Sequence, residues 1–486
     1  MEKNTLKKSR GFILISASIL AAVVQPRAEE YSEKKLALKT VDYKLNFRLD
    51  YENEKLFCEG EMTVMNPSPE PVNRIPLLLY RLLKLMSVTN KEGTDIPFEQ
   101  RIVSFTDWEQ LQVNFIEIFP KDQIEKNETF TLRFKYDGYL AGYTEAMRYV
   151  KDRIDEEYTV LRMETYVYPV VGYPSWRVNR TAIFQKFDYL IRVTVPSELV
   201  VANGGVLVDK NFHDGLVTFS YRNIKPAWRI DAAISKYALF ESGKNRIFYF
   251  PEDSLGAQRA MNALTKTLDL FTEWFGPLAD YQGFSIIEVP NGYGSQADVT
   301  TILQTADAFG DPENLYGLYH EISHQWNVEP LDPAPPRFES EGLAMLLQHL
   351  VQEELENKTD AAKKGAQRCA ERVRKAFEKN PEYRDVPMMD YGEEDMTDLS
   401  YTKGMVMFYT LYKIVGEEQF KELIGSFYQE YHTRGATADE FVEHCRRKSR
   451  VDLTDIFNDW VYGIESSEYI LDGFSVEDII NKYRKN

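Results

Sequence analysis

The chain has 486 residues, 43% of them hydrophobic and 13% aromatic, enough for two or three domains with separate cores. Fifty-eight Lys and Arg against 76 Asp and Glu leave a formal charge of -18, which argues against a nucleic-acid groove because phosphate binding needs clustered cations. Cys58, Cys369 and Cys445 have no C-x-x-C spacing, so one disulfide is open but a disulfide framework is not, and buried or half-buried thiols without a role are expected.

Lys3, Lys7, Lys8 and Arg10 precede an apolar run from Gly11 to Val24. This is the pattern of a secretory signal peptide over residues 1–28, and the run is short for a membrane span of about 20 residues. The protein is therefore expected to be secreted or periplasmic, with an uncleaved membrane anchor as the alternative. From 29 to 250 the apolar spacing is mostly two: Val41, Tyr43, Leu45, Phe47 and Leu49 alternate with polar residues, as do Phe130, Leu132, Phe134 and Tyr136, and Val217, Phe219 and Tyr221. Such alternation marks strands with one buried face. Asn66-Pro67-Ser68-Pro69, Asp137-Gly138 and Asn203-Gly204-Gly205 are expected turns, and the half reads as an all-β domain.

After Pro251 the spacing becomes helical. Leu264, Leu268, Phe271 and Phe275 predict a helix stopped by Gly276, and Phe284 to Val289 a buried strand ending at Pro290. Asp311-Pro312 has the form of an N-cap and first position for the next helix. Further helices are predicted over Met345 to Leu355, Tyr401 to Val415 and Phe420 to Tyr431, and after the capping box that opens at Thr437. This α-rich part, over residues 251–465, makes the chain an α+β multidomain protein, with 466–486 as a C-terminal tail.

The helix after Asp311 carries His320-Glu321-Ile322-Ser323-His324. Four residues span about 400° of helix, so the two imidazoles lie one turn apart on one face and grip one metal ion, the geometry of a zinc site. Zinc takes a third protein ligand, and Glu341 at the start of the next apolar helix, beyond the Pro-rich loop 331–336, is its candidate, with Glu339 as fallback. The fourth position is left for water, and Glu321 is placed to take that water's proton. A donor for the oxyanion is also needed, usually Tyr, His or Arg. His213, His349, His432 and His444 lack spacing partners and read as structural.

These residues resemble the aminopeptidase N family of gluzincin metallopeptidases. His320 to Trp326 is similar to its H-E-L-A-H-Q-W, Ser340 to Ala344 to its N-E-G-F-A, and Tyr401-Thr402-Lys403-Gly404 to its Y-x-K-G. The resemblance implies a saddle-like N-terminal all-β domain followed by a thermolysin-like, mainly α-helical catalytic domain, one Zn2+, peptide substrates and Tyr401 as the oxyanion donor. It also implies that Leu453 to Trp460 closes the catalytic domain, without the large helical domain that many members add.

Two features depart from the family. Sixteen residues separate His324 from Glu341, fewer than usual. Where the family has G-A-M-E-N, whose Glu binds the substrate's α-amine, this chain has Gly294-Ser295-Gln296-Ala297-Asp298, with Ala297 at the Glu position. Asp298 is the neighbouring carboxylate, expected on the opposite face, and Glu164 resembles a second amine-binding Glu of the β domain. The loss of one carboxylate from such a pocket removes roughly 1.5 to 3 kcal/mol. The expected activity is aminopeptidase-like hydrolysis of peptides. The alternatives are an endopeptidase or atypical exopeptidase, suggested by Ala297, and a zinc-bearing peptide-binding protein without turnover. No nucleic acid and no membrane partner beyond an uncleaved anchor are expected.

Overall fold

A computed structural model describes residue 31 and residues 34–180, 185–279 and 281–484. The leader read over residues 1–28 lies outside them. Among the described residues no helix is long and apolar enough to cross a membrane.

The N-terminal half is built of sheets. Seven strands hydrogen-bond in the order Val206–His213, Leu216–Arg222, Asp188–Pro196, Lys39–Asp50, Lys55–Met65, Thr129–Tyr139, Leu83–Asn90. Neighbours are antiparallel except Lys39–Asp50 and Asp188–Pro196, which run parallel with Tyr43 opposite Tyr189. The alternation read from Tyr43 to Leu49 is realised: these side chains are buried while Lys44, Asn46 and Arg48 face solvent. Each buried apolar side chain contributes about 1.5–3 kcal/mol of burial free energy. Their core is shared with a four-stranded sheet, Phe98–Ser104, Gln112–Ile118, Ile75–Tyr80 and Val170–Val171, through Leu77, Phe115 and Ile116.

The expected turn at Asp137-Gly138 is not one. Both residues stay in the strand Thr129–Tyr139, opposite Phe57 and Leu56. Gly138 is required there because a Cβ would sit 2.0 Å from the Leu82 carbonyl oxygen, and its φ is +152°. Close backbone approach, rather than chain reversal, explains this glycine.

The sheet of the C-terminal half orders as Ala238–Ser242, Asn245–Tyr249, Ser285–Val289, Thr301–Thr305, Gln296–Ala297. It crosses residue 250, for Arg246 pairs with Ser285 and Phe248 with Ile287 in parallel register. Helices cover it: α1 Ser254–Phe275, α2 Tyr316–Ser323, α3 Leu343–Glu356, α4 Ala361–Lys379, α5 Thr397–Val415, α6 Glu417–Tyr431 and α7 Ala438–Lys448. As the spacing predicts, α1 buries Leu264, Leu268, Phe271 and Phe275 and ends at Gly276, whose φ is +86°. The capping box at Thr437 and Glu440 forms at the start of α7. Asp311 caps a single 3-10 turn, Pro312–Asn314, rather than α2 itself. Beyond residue 465 the chain continues as α8 Glu465–Leu471 and α9 Val476–Tyr483, which bury Ile470, Ile479 and Ile480 in the helical core.

Candidate metal centre

His320 lies in the last turn of α2 and His324 just beyond it, where the helix tightens into the 3-10 turn His324–Trp326. Trp326 fixes this end by donating Nε1–H to the Gly276 carbonyl at 3.0 Å. The rings meet edge to face, centroids 4.8 Å apart. Glu341 arrives on a π-helical turn, Phe338–Gly342, that runs into α3, and its Oε2 lies 3.3 Å from His320 Nε2 and 3.4 Å from His324 Nε2. One ligand atom from each of the three lies within 4.8 Å of the others. Two imidazole nitrogens and a carboxylate oxygen around one point, with no fourth His, Cys, Asp or Glu in the group among the described residues, are the donor set of a hydrolytic zinc site, so the residues present fit the metal. Asn327 reaches His324 Nδ1 at 2.8 Å, the kind of hydrogen bond that orients a metal-ligating ring.

Glycine explains why Glu341 and Tyr401 meet. Gly342 and Gly404 stand back to back: a Cβ on Gly342 would lie 2.7 Å from the Gly404 Cα, and one on Gly404 2.9 Å from the Gly342 Cα. The π-helical turn thus lies directly on α5, and Tyr401, one turn before Gly404, stacks on the His320 ring at 6.1 Å and 8°. Burial and the Glu341 anion push the Tyr401 phenol well above its ordinary value, so it stays a hydrogen-bond donor. Burial pushes Glu321, next in sequence to His320, up to about 7. For Glu341, desolvation is outweighed by His324, His320 and Arg337, which hold it well below the carboxylate range. Glu339, the fallback ligand, is not part of the triad; it lines the same cavity with Oε2 lacking a hydrogen-bond partner.

That cavity, about 1130 Å³, is lined by Glu164, Gly294 to Asp298, His320, Glu321, His324, Glu341 and Tyr401. The β half therefore supplies Glu164 to the same space as the metal triad. Residues 294–298 lead into the edge strand Gln296–Ala297, which pairs with Leu303 and Ile302 on one side only. Its loop is anchored by Arg162, which donates to the Tyr293 carbonyl at 3.0 Å and is itself paired with buried Asp152. Ser295 spends its hydroxyl on Thr305 and Gln304. Asp298 is buried, pushed up to about 7 by desolvation, and its backbone carbonyl accepts from Gln325.

Two arginines at this cavity have no sequence signature. Arg229 grips Glu164 with both Nη groups at 2.9 Å and also binds Asp231. Arg337 donates to Oε1 of Glu341, the oxygen turned away from the histidines, and its Nη2 lies 3.5 Å from the Tyr401 hydroxyl. Its φ of +64° is rare for a residue with a side chain and is held by Glu341 N–H donating to its carbonyl at 2.9 Å. His213 and His444 stand apart from the cavity, as does His349, while His432 lines it and hydrogen-bonds the Tyr428 carbonyl. The three cysteines are buried and unpaired.

Comparison with known proteins agrees with this geometry. Residues 313–460 match the family described as Peptidase family M1 domain. A search of curated proteins finds no matching sequence. Among solved structures, an M1 zinc metallopeptidase mutant of Deinococcus radiodurans bound to a Tyr-Ser-Ala substrate superposes with TM-score 0.64 at 16% identity, covering 87% of this chain and 94% of that one. The M1 zinc metallopeptidase of the same organism without that substrate gives 0.60 at 17%, covering 90% and 94%. A two-domain M1 mutant bound to L-tryptophan gives 0.60 at 16%, covering 90% and 95%. A β domain joined to a helical half that carries a His, His, Glu zinc triad defines a zinc metallopeptidase. Residues 313–460 of its helical half are similar to the peptidase family M1 domain, in keeping with an aminopeptidase N-type gluzincin.

Proposed function

We propose that this chain releases residues from the N-terminal end of peptides by zinc-dependent hydrolysis, with His320, His324 and Glu341 as metal ligands, Glu321 as general base and Tyr401 as oxyanion donor. The observation that carries it is the convergence of these five residues on one cavity that an edge strand also lines. Zinc, when bound, supplies a Lewis acid that polarises the carbonyl and acidifies water. Glu321, whose proton affinity is raised by burial, takes a proton from the attacking water and passes it to the leaving amine. Tyr401, kept protonated, donates to the oxygen on which charge develops. The open side of Gln296–Ala297 accepts the substrate backbone as an added strand. Release from the N-terminal end is supported by the family resemblance, and the peptide in the Deinococcus radiodurans neighbour agrees with peptide substrates. The leader pattern at residues 1–28 supports a secreted or periplasmic location.

A second activity, endopeptidase or atypical exopeptidase cleavage, is favoured by Ala297 at the position of the family's amine-binding Glu. Product analysis of a mixed peptide library with zinc-loaded protein separates the two, and a chelator must abolish both. Glu321→Gln is expected to retain zinc and lose hydrolysis by about 10²–10⁴-fold; full activity in that variant refutes the mechanism.

A further inference from the structure

Most carboxylates around the metal triad are already paired, and Glu321, which also lines the cavity, is taken up with the attacking water. Position 297 is alanine. Glu164 Oε1 accepts from both Arg229 and Gln296, at 2.9 and 2.7 Å, and its Oε2 accepts from Arg229 at 2.9 Å. Glu341 turns Oε2 to the two histidines and Oε1 to Arg337. Two further carboxylates of the cavity are also paired, Glu329 with Lys186 and Asp395 with Arg180.

A substrate ammonium brought into this space loses hydration and meets carboxylates already claimed by Arg180, Arg229 and Arg337. An amide nitrogen has no such cost. Its single N–H is satisfied by a neutral acceptor, and the two-residue edge strand Gln296–Ala297 offers a backbone carbonyl on its unpaired side. We infer that the site takes peptides in which the nitrogen of the residue before the scissile bond is acylated rather than a free ammonium. A blocked N-terminus and the interior of a longer peptide present the same chemistry. The inference rests on the zinc-dependent peptide hydrolysis proposed above and specifies the substrate class of its second reading, endopeptidase or atypical exopeptidase cleavage. Two carboxylates of the cavity are the exceptions that test it: Asp298 Oδ1 and Glu339 Oε2 have no hydrogen-bond partner. If either receives an ammonium, the free peptide binds more tightly.

The test measures binding apart from turnover. Zinc-loaded full-length Glu321→Gln protein is titrated calorimetrically with a tripeptide, its N-acetyl form and the same tripeptide extended by further residues at its N-terminus. The acetylated or the extended form is expected to bind as tightly as the free form or more tightly. Tighter binding of the acetylated form alone marks blocked termini as the source, and of the extended form alone internal segments. A preference for the free peptide over both by about tenfold or more, the size of one charge-assisted contact, overturns the inference, as does absence of binding by all three. Ala297→Glu is expected to shift the ratio toward the free peptide by about ten- to a hundredfold, and an unmoved ratio also overturns it. Cleavage of the three peptides by the unsubstituted protein is scored separately: binding in the expected order without any cleavage refutes the peptidase function and leaves the recognition assignment standing.

Discussion

Glu341 and Glu164 line the same cavity, both are largely buried, and each is held by an arginine, yet they are built for different ends. Glu341 divides its two oxygens, one toward a pair of imidazoles and one toward Arg337, so its charge is directed at a point in space that a metal shares. Glu164 gives both oxygens to a single guanidinium, and the remaining capacity goes to Gln296. The first is a ligand with a supporting cation. The second is a closed ion pair. A buried carboxylate at a catalytic cavity therefore says little about recognition until the destination of each oxygen is known.

Substitutions at the two ends should separate these roles. At the metal end, Tyr401→Phe removes only the phenol donor and is expected to lower kcat by about 10²–10³-fold with KM little changed; an equal loss in both places Tyr401 in ground-state binding instead. At the other end, Glu164→Gln should act on stability, because it leaves Arg229 buried with less compensation. Denaturant unfolding should show a loss of about 3–5 kcal/mol, while kcat/KM for an N-acetylated peptide stays within about tenfold. Gly404→Ala forces a methyl group against the Gly342 backbone and should cost about 1–3 kcal/mol, with weaker zinc retention in a chelator competition.

A third carboxyl, outside the cavity, acts through pH. Glu288 lies in the strand Ser285–Val289, accepts from Phe250 N–H at 2.7 Å through one oxygen and leaves the other unpartnered; burial pushes it up to about 9. Its folded value lies above its unfolded one of about 4.5, so the protonated form favours the native state. That contribution is complete below about pH 4.5 and is lost as pH rises through about 9. Glu288→Gln should therefore flatten the decline of Tm with pH over this window, and an unchanged slope excludes Glu288 as its source.

Legibility in the sequence followed the range of the interactions. The pair His320 and His324 is set by helical period, a property of five consecutive residues, and Glu341 needed only one loop reversal in addition. The alternating strands and most helices were equally local. Tyr401 was accessible through family resemblance alone, since its place depends on the contact of Gly342 with Gly404. Arg229 lies 65 residues from Glu164, and nothing near either residue signals the pair. Arg337 is only four residues before Glu341, but a left-handed backbone turn, which an arginine does not advertise, brings it to that carboxylate. Helix α4 escaped because its buried face is mostly small, Ala362, Gly365, Ala366 and Ala370, and so offers few large apolar residues at helical spacing. The hairpin Ala238–Tyr249 alternates like the strands before it, so its allegiance to the catalytic sheet is invisible until Ser285 pairs beside Arg246.

That hairpin has a consequence for synthesis. When the ribosome has finished the β half, Ile247 and Phe248 are paired with Phe240 and Leu239 on one side only, and the partner for their other edge, Ser285–Val289, emerges only after the whole of α1. Domains fold largely as units from the N-terminus during translation, and unpaired strand edges promote aggregation in the meantime. The nascent chain thus carries an open apolar edge through the production of about forty residues, a window in which a slow codon run or a missing chaperone does its greatest harm.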